Sequence, residues 1–173
     1  MELRCSFSAG EHFVSRKDFD ALIGKLTAAA AGRPLDAALA TQLNTDFGAA
    51  TPVFHALREA CLAGVREGWL CNREGGGIRY GRVVKPTSAS HNFSVDVVDM
   101  REVVGPHHVH PNGEIDLVLP LEGDARFDGH GAGWMVYGAG SAHSPTVAGG
   151  RALVLYLLPG GAIEFTRSTA RAG

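Results

Sequence analysis

The spacing of apolar residues predicts helices in the first third of the chain. Ser15 is a suitable N-cap with Asp18 three positions later, and apolar residues then recur at helical spacing until Gly32. Two further helices are predicted, over residues 35–47 and from an N-cap at Thr51 to about Gly68. Each has one apolar face, so the helices need a partner surface that covers them.

From residue 75 onward, short apolar and aromatic segments alternate with turns rich in glycine, proline and aspartate. Five strands are predicted, over residues 78–85, 93–100, 114–121, 134–137 and 151–158. The pattern therefore predicts a mainly β fold. We expect a helical extension, residues 1–72, packed on a barrel or sandwich formed by residues 73–173.

Length and charge narrow the choice of function. A chain of 173 residues fits one domain and can bury enough surface to fold without disulfides or a structural metal, so any bound metal is expected to be functional. The formal charge is −2 and the sequence pI is about 6.4. This balance provides no net attraction to phosphate backbones or anionic lipid, so we expect neither nucleic acid nor membrane as a partner.

The three cysteines indicate a cellular location. Cys5, Cys61 and Cys71 are odd in number and form no Cys-x-x-Cys pair. The chain begins without a secretory apolar segment, and its longest apolar run, residues 152–158, is too short to span a bilayer. A soluble protein of the reducing cytoplasm is predicted.

The histidines supply the candidate chemistry. In an extended strand, side chains two positions apart share a face, so His108 and His110 point the same way. The turn residues 111–113 then bring Glu114 back toward the same point. A glycine-rich turn before His143 presents a further imidazole from a distant part of the sequence.

Three imidazoles and one carboxylate suit a divalent ion such as Fe2+, Mn2+, Zn2+ or Ni2+ and leave positions open for water or substrate. A catalytic metal site is therefore favoured over a closed structural one. His107 is either a residue that supports the site or a surface residue. The remaining histidines are expected to be solvated or turn residues: His12, His55, His91 and His130.

The ligand spacing resembles the cupin superfamily. His108, His110 and Glu114 match the ligands of the first cupin motif, and the second motif is matched at Gly138, Gly140 and His143. The chain departs from the motifs in four places: Gly138 replaces the proline of the second motif, Gly105 lies too close to His108, the closing glycine of the first motif is Gly123 after eight intervening residues, and Val147 stands where asparagine is common. The resemblance implies a double-stranded β-helix, a jelly roll that holds its metal inside.

A second carboxylate is expected near the metal. If Glu114 faces the interior, so does Asp116, while Ile115 and Leu117 pack outward. A buried acid in that position could carry a proton to or from a bound ligand. The alternative is that Asp116 forms an ion pair with an arginine.

Residues 77–85 are candidates for binding an anionic substrate. Strand alternation places Arg79 and Lys85 on one face and Tyr80 and Arg82 on the other, and an inward arginine would bind a carboxylate in bidentate fashion. Trp134, Tyr137 or Tyr156 could stack on an aromatic ring. The alternatives are solvated strand charges and core aromatics.

Four stretches resemble the 4-hydroxylaminobenzoate lyases of nitroaromatic breakdown, namely residues 68–82, 93–100, 105–114 and 133–146. The resemblance implies conversion of 4-hydroxylaminobenzoate and water to 3,4-dihydroxybenzoate and ammonia, for which we expect the metal to act as Lewis acid, Asp116 or a neighbouring residue to supply the proton and an arginine to hold the carboxylate. It also implies a small aromatic carboxylate as substrate, and a homodimer is expected, since an apolar sheet edge would also favour pairing. The rival predictions are an Fe(II)-dependent dioxygenase of aromatic compounds and a non-catalytic cupin that binds small ligands.

Overall fold

The structure is a computed structural model that describes residues 14–166. Its three helices are α1 (Arg16–Ala30), α2 (Ala37–Phe47) and α3 (Pro52–Glu67). The strands are β1 (Arg73–Gly75), β2 (Ile78–Val84), β3 (Phe93–Val104), β4 (His108–His110), β5 (Glu114–Phe127), β6 (Gly133–Tyr137), β7 (Ser141–His143), β8 (Thr146–Pro159) and β9 (Glu164–Phe165). The predicted mainly β fold with N-terminal helices is confirmed.

The helix boundaries follow from side-chain capping. Ser15 accepts a hydrogen bond from the Asp18 backbone N–H, while the Asp18 carboxylate accepts one from the Ser15 N–H, which completes a capping box. Helix α2 begins two residues later than predicted because Asp36 is its N-cap, with its carboxylate 3.0 Å from the Leu39 nitrogen. Helix α3 begins after the predicted N-cap Thr51.

The strands form two antiparallel sheets. The larger has the strand order β1-β2-β3-β8-β5-β6, and the smaller has the order β7-β4-β9. The long strands β3, β5 and β8 run beyond the predicted segments. Bulges or other register shifts interrupt the pairing of β3 with β8 and that of β5 with β8. No helix in residues 14–166 is long and apolar enough to cross a membrane.

The central strands of the larger sheet, β3, β8 and β5, are buried on both faces over much of their length. One face packs against the helices through a core that includes Phe19, Leu57, Ile115, Leu117 and Leu155. The other face lies toward the interior and carries a second apolar cluster that includes Met100, Val118, Val154, Tyr156 and Leu158. The prediction that Ile115 and Leu117 pack away from Glu114 is confirmed.

One edge of the larger sheet is covered by a helix. The Asn44 side chain of α2 donates to the Trp134 carbonyl at 2.8 Å and accepts from the Trp134 nitrogen at 2.9 Å. This amide takes the place of a neighbouring strand along β6, so that edge is partly paired.

Candidate metal centre

Four predicted ligands converge between the two sheets. His108 and His110 share one face of β4 and are buried, and β7 pairs with β4 so that His143 lies opposite His108. Glu114 begins β5 and is also buried. The candidate ligand atoms of these residues all lie within 4.8 Å of one another. The structure therefore brings together all four residues that sequence spacing singled out.

A tight turn places Glu114 beside the histidines. Gly113 has φ +86°, and its nitrogen donates to the His110 carbonyl. A Cβ atom at this position would lie 2.7 Å from the Tyr137 carbonyl oxygen. Both the conformation and the close approach favour glycine here.

The imidazoles point their Nε2 atoms at a common point. His143 Nε2 lies 3.0 Å from His110 Nε2 and 3.1 Å from His108 Nε2. Ligand atoms about 2.1 Å from one ion and at right angles to each other would lie about 3.0 Å apart. The spacing of the three nitrogens therefore fits a single divalent ion.

Hydrogen bonds at the opposite ring nitrogens orient two of the histidines. His108 Nδ1 lies 2.9 Å from the Pro106 carbonyl oxygen, and His143 Nδ1 lies 2.6 Å from Asp128 Oδ2. Each of these nitrogens must carry the proton to donate to an oxygen acceptor, which leaves Nε2 with a free lone pair. This is the tautomer that a metal ligand requires.

Buried polar atoms support the same assignment. Among residues 14–166, no N–H or hydroxyl group donates a hydrogen bond to the carboxylate oxygens of Glu114 or Asp116, and their one hydrogen-bond contact is a proton shared between the two carboxyl groups. His110 Nδ1 lies 3.1 Å from Glu114 Oε2, but the two atoms do not have hydrogen-bond geometry. A buried carboxylate without a partner is costly, and a bound cation would satisfy Glu114 directly. The residues present therefore fit a divalent metal ion.

Burial also favours neutral imidazoles. Burial, together with the charges of the neighbouring imidazoles, lowers the pKa of His108 to about 4 and the pKa of His110 to about 3. These two rings are therefore uncharged near neutral pH and available as ligands. Burial and the neighbouring carboxylate raise the pKa of Glu114 well above its ordinary value, and burial does the same for Asp116.

Asp128 supports the site and was not predicted. Its carboxylate accepts from His143 Nδ1 and, at 2.8 Å, from the Tyr137 hydroxyl, while Oδ1 accepts from the Thr146 nitrogen. Burial opposes ionisation, but these hydrogen bonds hold the pKa of Asp128 below its ordinary value. No spacing rule connects Asp128 with His143, because Asp128 follows β5 of the larger sheet whereas His143 ends β7 of the smaller sheet.

A cavity of about 1000 Å³ adjoins the ligands, with His108 and Glu114 in its wall. Much of the lining is apolar, including Ile78, Val98, Met100, Leu158, Ile163 and Phe165. Three cationic side chains also line it: Arg73, Arg82 and Lys85. An apolar cavity with cations and a candidate metal centre suits an anionic aromatic ligand.

The predicted arginines have different positions. Arg82 lines the cavity, where its Nε lies 3.0 Å from Asp96 Oδ1. Arg79 does not line the cavity and lies on the opposite face of β2, across from Asp99. Lys85 also departs from the alternation, because a register shift between Arg82 and Val84 moves it to the cavity side.

The predicted aromatic residues are also separated. Trp134 lies in the helix-facing core, where its indole Nε1 donates to the Phe47 carbonyl at 2.9 Å, so the structure does not bring it to the metal centre. Tyr137 lies beside the centre with its ring nearly parallel to that of His110, although it is not part of the cavity lining. Tyr156 lines the cavity. Strand alternation alone places Trp134 and Tyr137, three residues apart, on opposite faces.

The other histidines take no part in the cluster. His107 is exposed and its Nδ1 contacts the Thr166 hydroxyl, while His130 is exposed in a turn. His55 is exposed, and His91 is exposed but contacts the Thr27 hydroxyl at 2.9 Å. His12 lies outside the described residues, as does Cys5.

Comparison with known proteins identifies the family. The family model described as PnbB, 4-hydroxylaminobenzoate lyase, matches residues 21–165. The chain belongs to the 4-hydroxylaminobenzoate lyase family. It is therefore a lyase, and the predicted resemblance is confirmed.

Curated relatives carry the same family name. A 4-hydroxylaminobenzoate lyase of Nocardioides sp. (strain LMS-CY) is 34% identical over 132 residues, covering 71% of this chain and 78% of the relative. A 4-hydroxylaminobenzoate lyase of Pseudomonas putida is 31% identical over 140 residues, covering 71% of this chain and 80% of the relative.

The fold also has a solved counterpart. The crystal structure of DMSP lyase DddQ from Ruegeria pomeroyi DSS-3 matches with a TM-score of 0.52 and 19% identity, covering 88% of this chain and 98% of that chain. At this identity the likeness concerns the fold alone. The predicted cupin fold of this family member is confirmed.

Proposed function

We propose that this lyase converts 4-hydroxylaminobenzoate and water to 3,4-dihydroxybenzoate and ammonia. The atoms balance without an external oxidant or reductant, because the water supplies one oxygen and the nitrogen leaves as ammonia. The observation that carries the proposal is the cavity that joins the His/Glu cluster to cationic side chains. Family membership supports the same substrate.

The proposed cofactor is one divalent ion, Fe2+, Mn2+, Zn2+ or Ni2+, held by His108, His110, Glu114 and His143. When bound, such an ion supplies Lewis acidity to an oxygen of the substrate or of water. The chain contributes neutral imidazoles and a buried carboxylate, and Asp128 keeps His143 in the required orientation.

The proposed carboxylate site is the cationic side of the cavity. Arg82 is partly neutralised by Asp96, whereas Arg73 and Lys85 form no ion pair within residues 14–166. The positive charge of the three side chains together is larger than the negative charge of Asp96, so this side of the cavity remains cationic. A benzoate carboxylate bound there would direct its para substituent deeper into the cavity.

Asp116 remains the proposed source of a proton. It is fully buried, and burial raises its pKa well above the ordinary value, which favours the protonated form. Asp116 is not part of the cavity lining, whereas Glu114 is. We therefore place Asp116 behind Glu114, where it supplies a proton to the substrate through that carboxylate.

The test is product formation by purified protein loaded separately with each of the four ions. We expect ammonia and 3,4-dihydroxybenzoate in equal amounts, with no oxygen consumed. Stoichiometric oxygen uptake with a diphenol and no ammonia would instead establish the dioxygenase. Binding of aromatic carboxylates without any turnover would establish a non-catalytic cupin.

Two variants test the individual assignments. His143→Ala should lose bound metal, measured by elemental analysis, while it keeps the folded circular dichroism spectrum. Arg82→Ala should raise KM for the substrate, and its matched control Arg79→Ala should not, because Arg79 lies on the other face of β2. An unchanged KM in Arg82→Ala would place the carboxylate site with Arg73 and Lys85. The homodimer and the cytoplasmic location are part of the same proposal, to be checked by light scattering and cell fractionation.

A further inference from the structure

A row of polar side chains crosses the inner face of the larger sheet. Arg82 on β2 pairs with Asp96 on β3, and Asp96 pairs with Tyr156 on β8. Tyr156 in turn pairs with Asp116 on β5. Tyr156 therefore stands between the cationic side of the cavity and the carboxylates of the metal centre.

The Tyr156 ring is held by packing. The residue is 6% exposed, and its ring meets Phe127 edge to face with centroids 6.0 Å apart. A ring packed in this way has little rotational freedom, so the hydroxyl has a defined position.

The Tyr156 hydroxyl has no internal partner. Within residues 14–166, no group hydrogen-bonds to Tyr156 Oη, although Tyr156 contributes to the cavity wall. The oxygen is not fully buried, and because Tyr156 lies in the cavity wall, we infer that it is open to the cavity. Tyr137 differs, because its hydroxyl donates to Asp128 at 2.8 Å. Buried tyrosine hydroxyls usually have a partner, and the cavity is where one can bind.

The surroundings favour a donor. Burial, followed by the charges of Asp116, Glu114 and Asp128, raises the pKa of Tyr156 well above its ordinary value. The hydroxyl therefore keeps its proton near neutral pH and can donate it in a hydrogen bond.

The strand spacing matches the proposed substrate. Neighbouring strands are about 4.8 Å apart, so β8 lies about 10 Å from β2 across the sheet. This is comparable to the length of a para-substituted benzoate. With its carboxylate near Arg82, such a ligand would bring its para substituent to Tyr156.

We propose that the Tyr156 hydroxyl donates a hydrogen bond to the para substituent of the bound aromatic carboxylate, which in the proposed reaction is the hydroxylamino group. Tyr156 would thus be a catalytic residue that contacts the reacting N–O group, in addition to any role of its ring. This inference rests on the proposed function for the identity of the substrate, and on the cavity for its position.

The test is Tyr156→Phe, which removes the hydroxyl and keeps the ring. We expect kcat to fall about 10-fold or more, with metal content and thermal midpoint close to those of the wild type. The control is Thr27→Val, which removes a buried hydroxyl on α1 that contacts His91 away from the cavity. Its kinetic constants should not change.

A binding measurement separates this inference from the proposed function. Calorimetry on zinc-loaded protein compares benzoate with 4-hydroxybenzoate. Tyr156→Phe should weaken binding of 4-hydroxybenzoate about 5-fold or more and leave benzoate unaffected. Equal effects on the two ligands, or none on either, would overturn the role of Tyr156, whatever the wild type does with 4-hydroxylaminobenzoate. Wild-type protein that releases no ammonia would overturn only the proposed reaction.

Discussion

Replacing Asp128 with asparagine tests how the metal centre is organised. The carboxylate accepts hydrogen bonds from three groups at 2.6 to 2.8 Å: His143 Nδ1, the Tyr137 hydroxyl and the Thr146 nitrogen. An asparagine of the same shape has only one accepting oxygen. It can satisfy the Thr146 N–H or the His143 N–H, but not both.

The expected consequence is a change of tautomer at His143. If the amide nitrogen faces Nδ1, the proton moves to Nε2, and that nitrogen can no longer act as a ligand. Loss of a residue that orients a ligand typically weakens metal binding 10- to 100-fold, or about 1.4 to 2.7 kcal/mol. We expect Asp128→Asn to lose zinc affinity within this range while His108, His110 and Glu114 stay in place.

The assay is competition for Zn2+ against a chelator of known affinity, with thermal unfolding of the metal-free protein as a check on folding. Asp124→Asn is the matched control, since it makes the same chemical change four residues earlier. The Asp124 side chain is 84% exposed and contacts Arg126. Zinc affinity in Asp128→Asn equal to that of Asp124→Asn would refute the orienting role of Asp128.

Three further predictions concern protonation, the helix-facing core and the backbone. Metal affinity should rise with pH over the range in which Glu114 ionises, because its raised pKa favours the protonated form, whereas the lowered pKa values of His108 and His110 keep these imidazoles neutral. Metal binding in that range should release a proton, and calorimetry in two buffers should find no release from Glu114→Gln. Trp134→Phe should lower the thermal midpoint without changing KM, because the indole N–H donates a hydrogen bond to the Phe47 carbonyl in the helix-facing core. A raised KM would indicate that Trp134 contacts the substrate. Gly150→Ala should cost at least about 3 kcal/mol in urea unfolding, since its φ is +149° and a Cβ would lie 1.9 Å from the Glu122 carbonyl oxygen, whereas Gly32→Ala, with open space around it, should cost about 1 kcal/mol. Equal losses in the two glycine variants would contradict the close approach.

Rules that depend only on neighbouring residues were sufficient to predict the ligands of the metal centre. His108 and His110 share a face because strand side chains alternate, and Glu114 returns after a turn that glycine permits. The same rules placed Asp116 inward. The helix caps at Ser15 and Thr51 were also predicted, since capping depends on residues three positions apart.

The substrate side could not be predicted in the same way. The bulge in β2 reverses the alternation after Arg82, and nothing in the local sequence marks its position. Lys85 therefore joins the cavity wall against expectation, and Arg79 remains on the other face. Strand alternation indicated that the side chains of Trp134 and Tyr137 lie on opposite faces of β6, but it did not indicate which of the two faces the cavity.

By itself, then, the sequence determined the helices, most of the strands and the four converging ligands, because each depends on residues close together along the chain or on a motif with fixed spacing. Tertiary structure alone decided that Asp128 orients His143, that Tyr156 opens into the cavity and that Arg82 faces Asp96. These relations depend on strand register and on turns that bring distant segments together. Register is set by the packing of both sheet faces at once, which no single segment encodes.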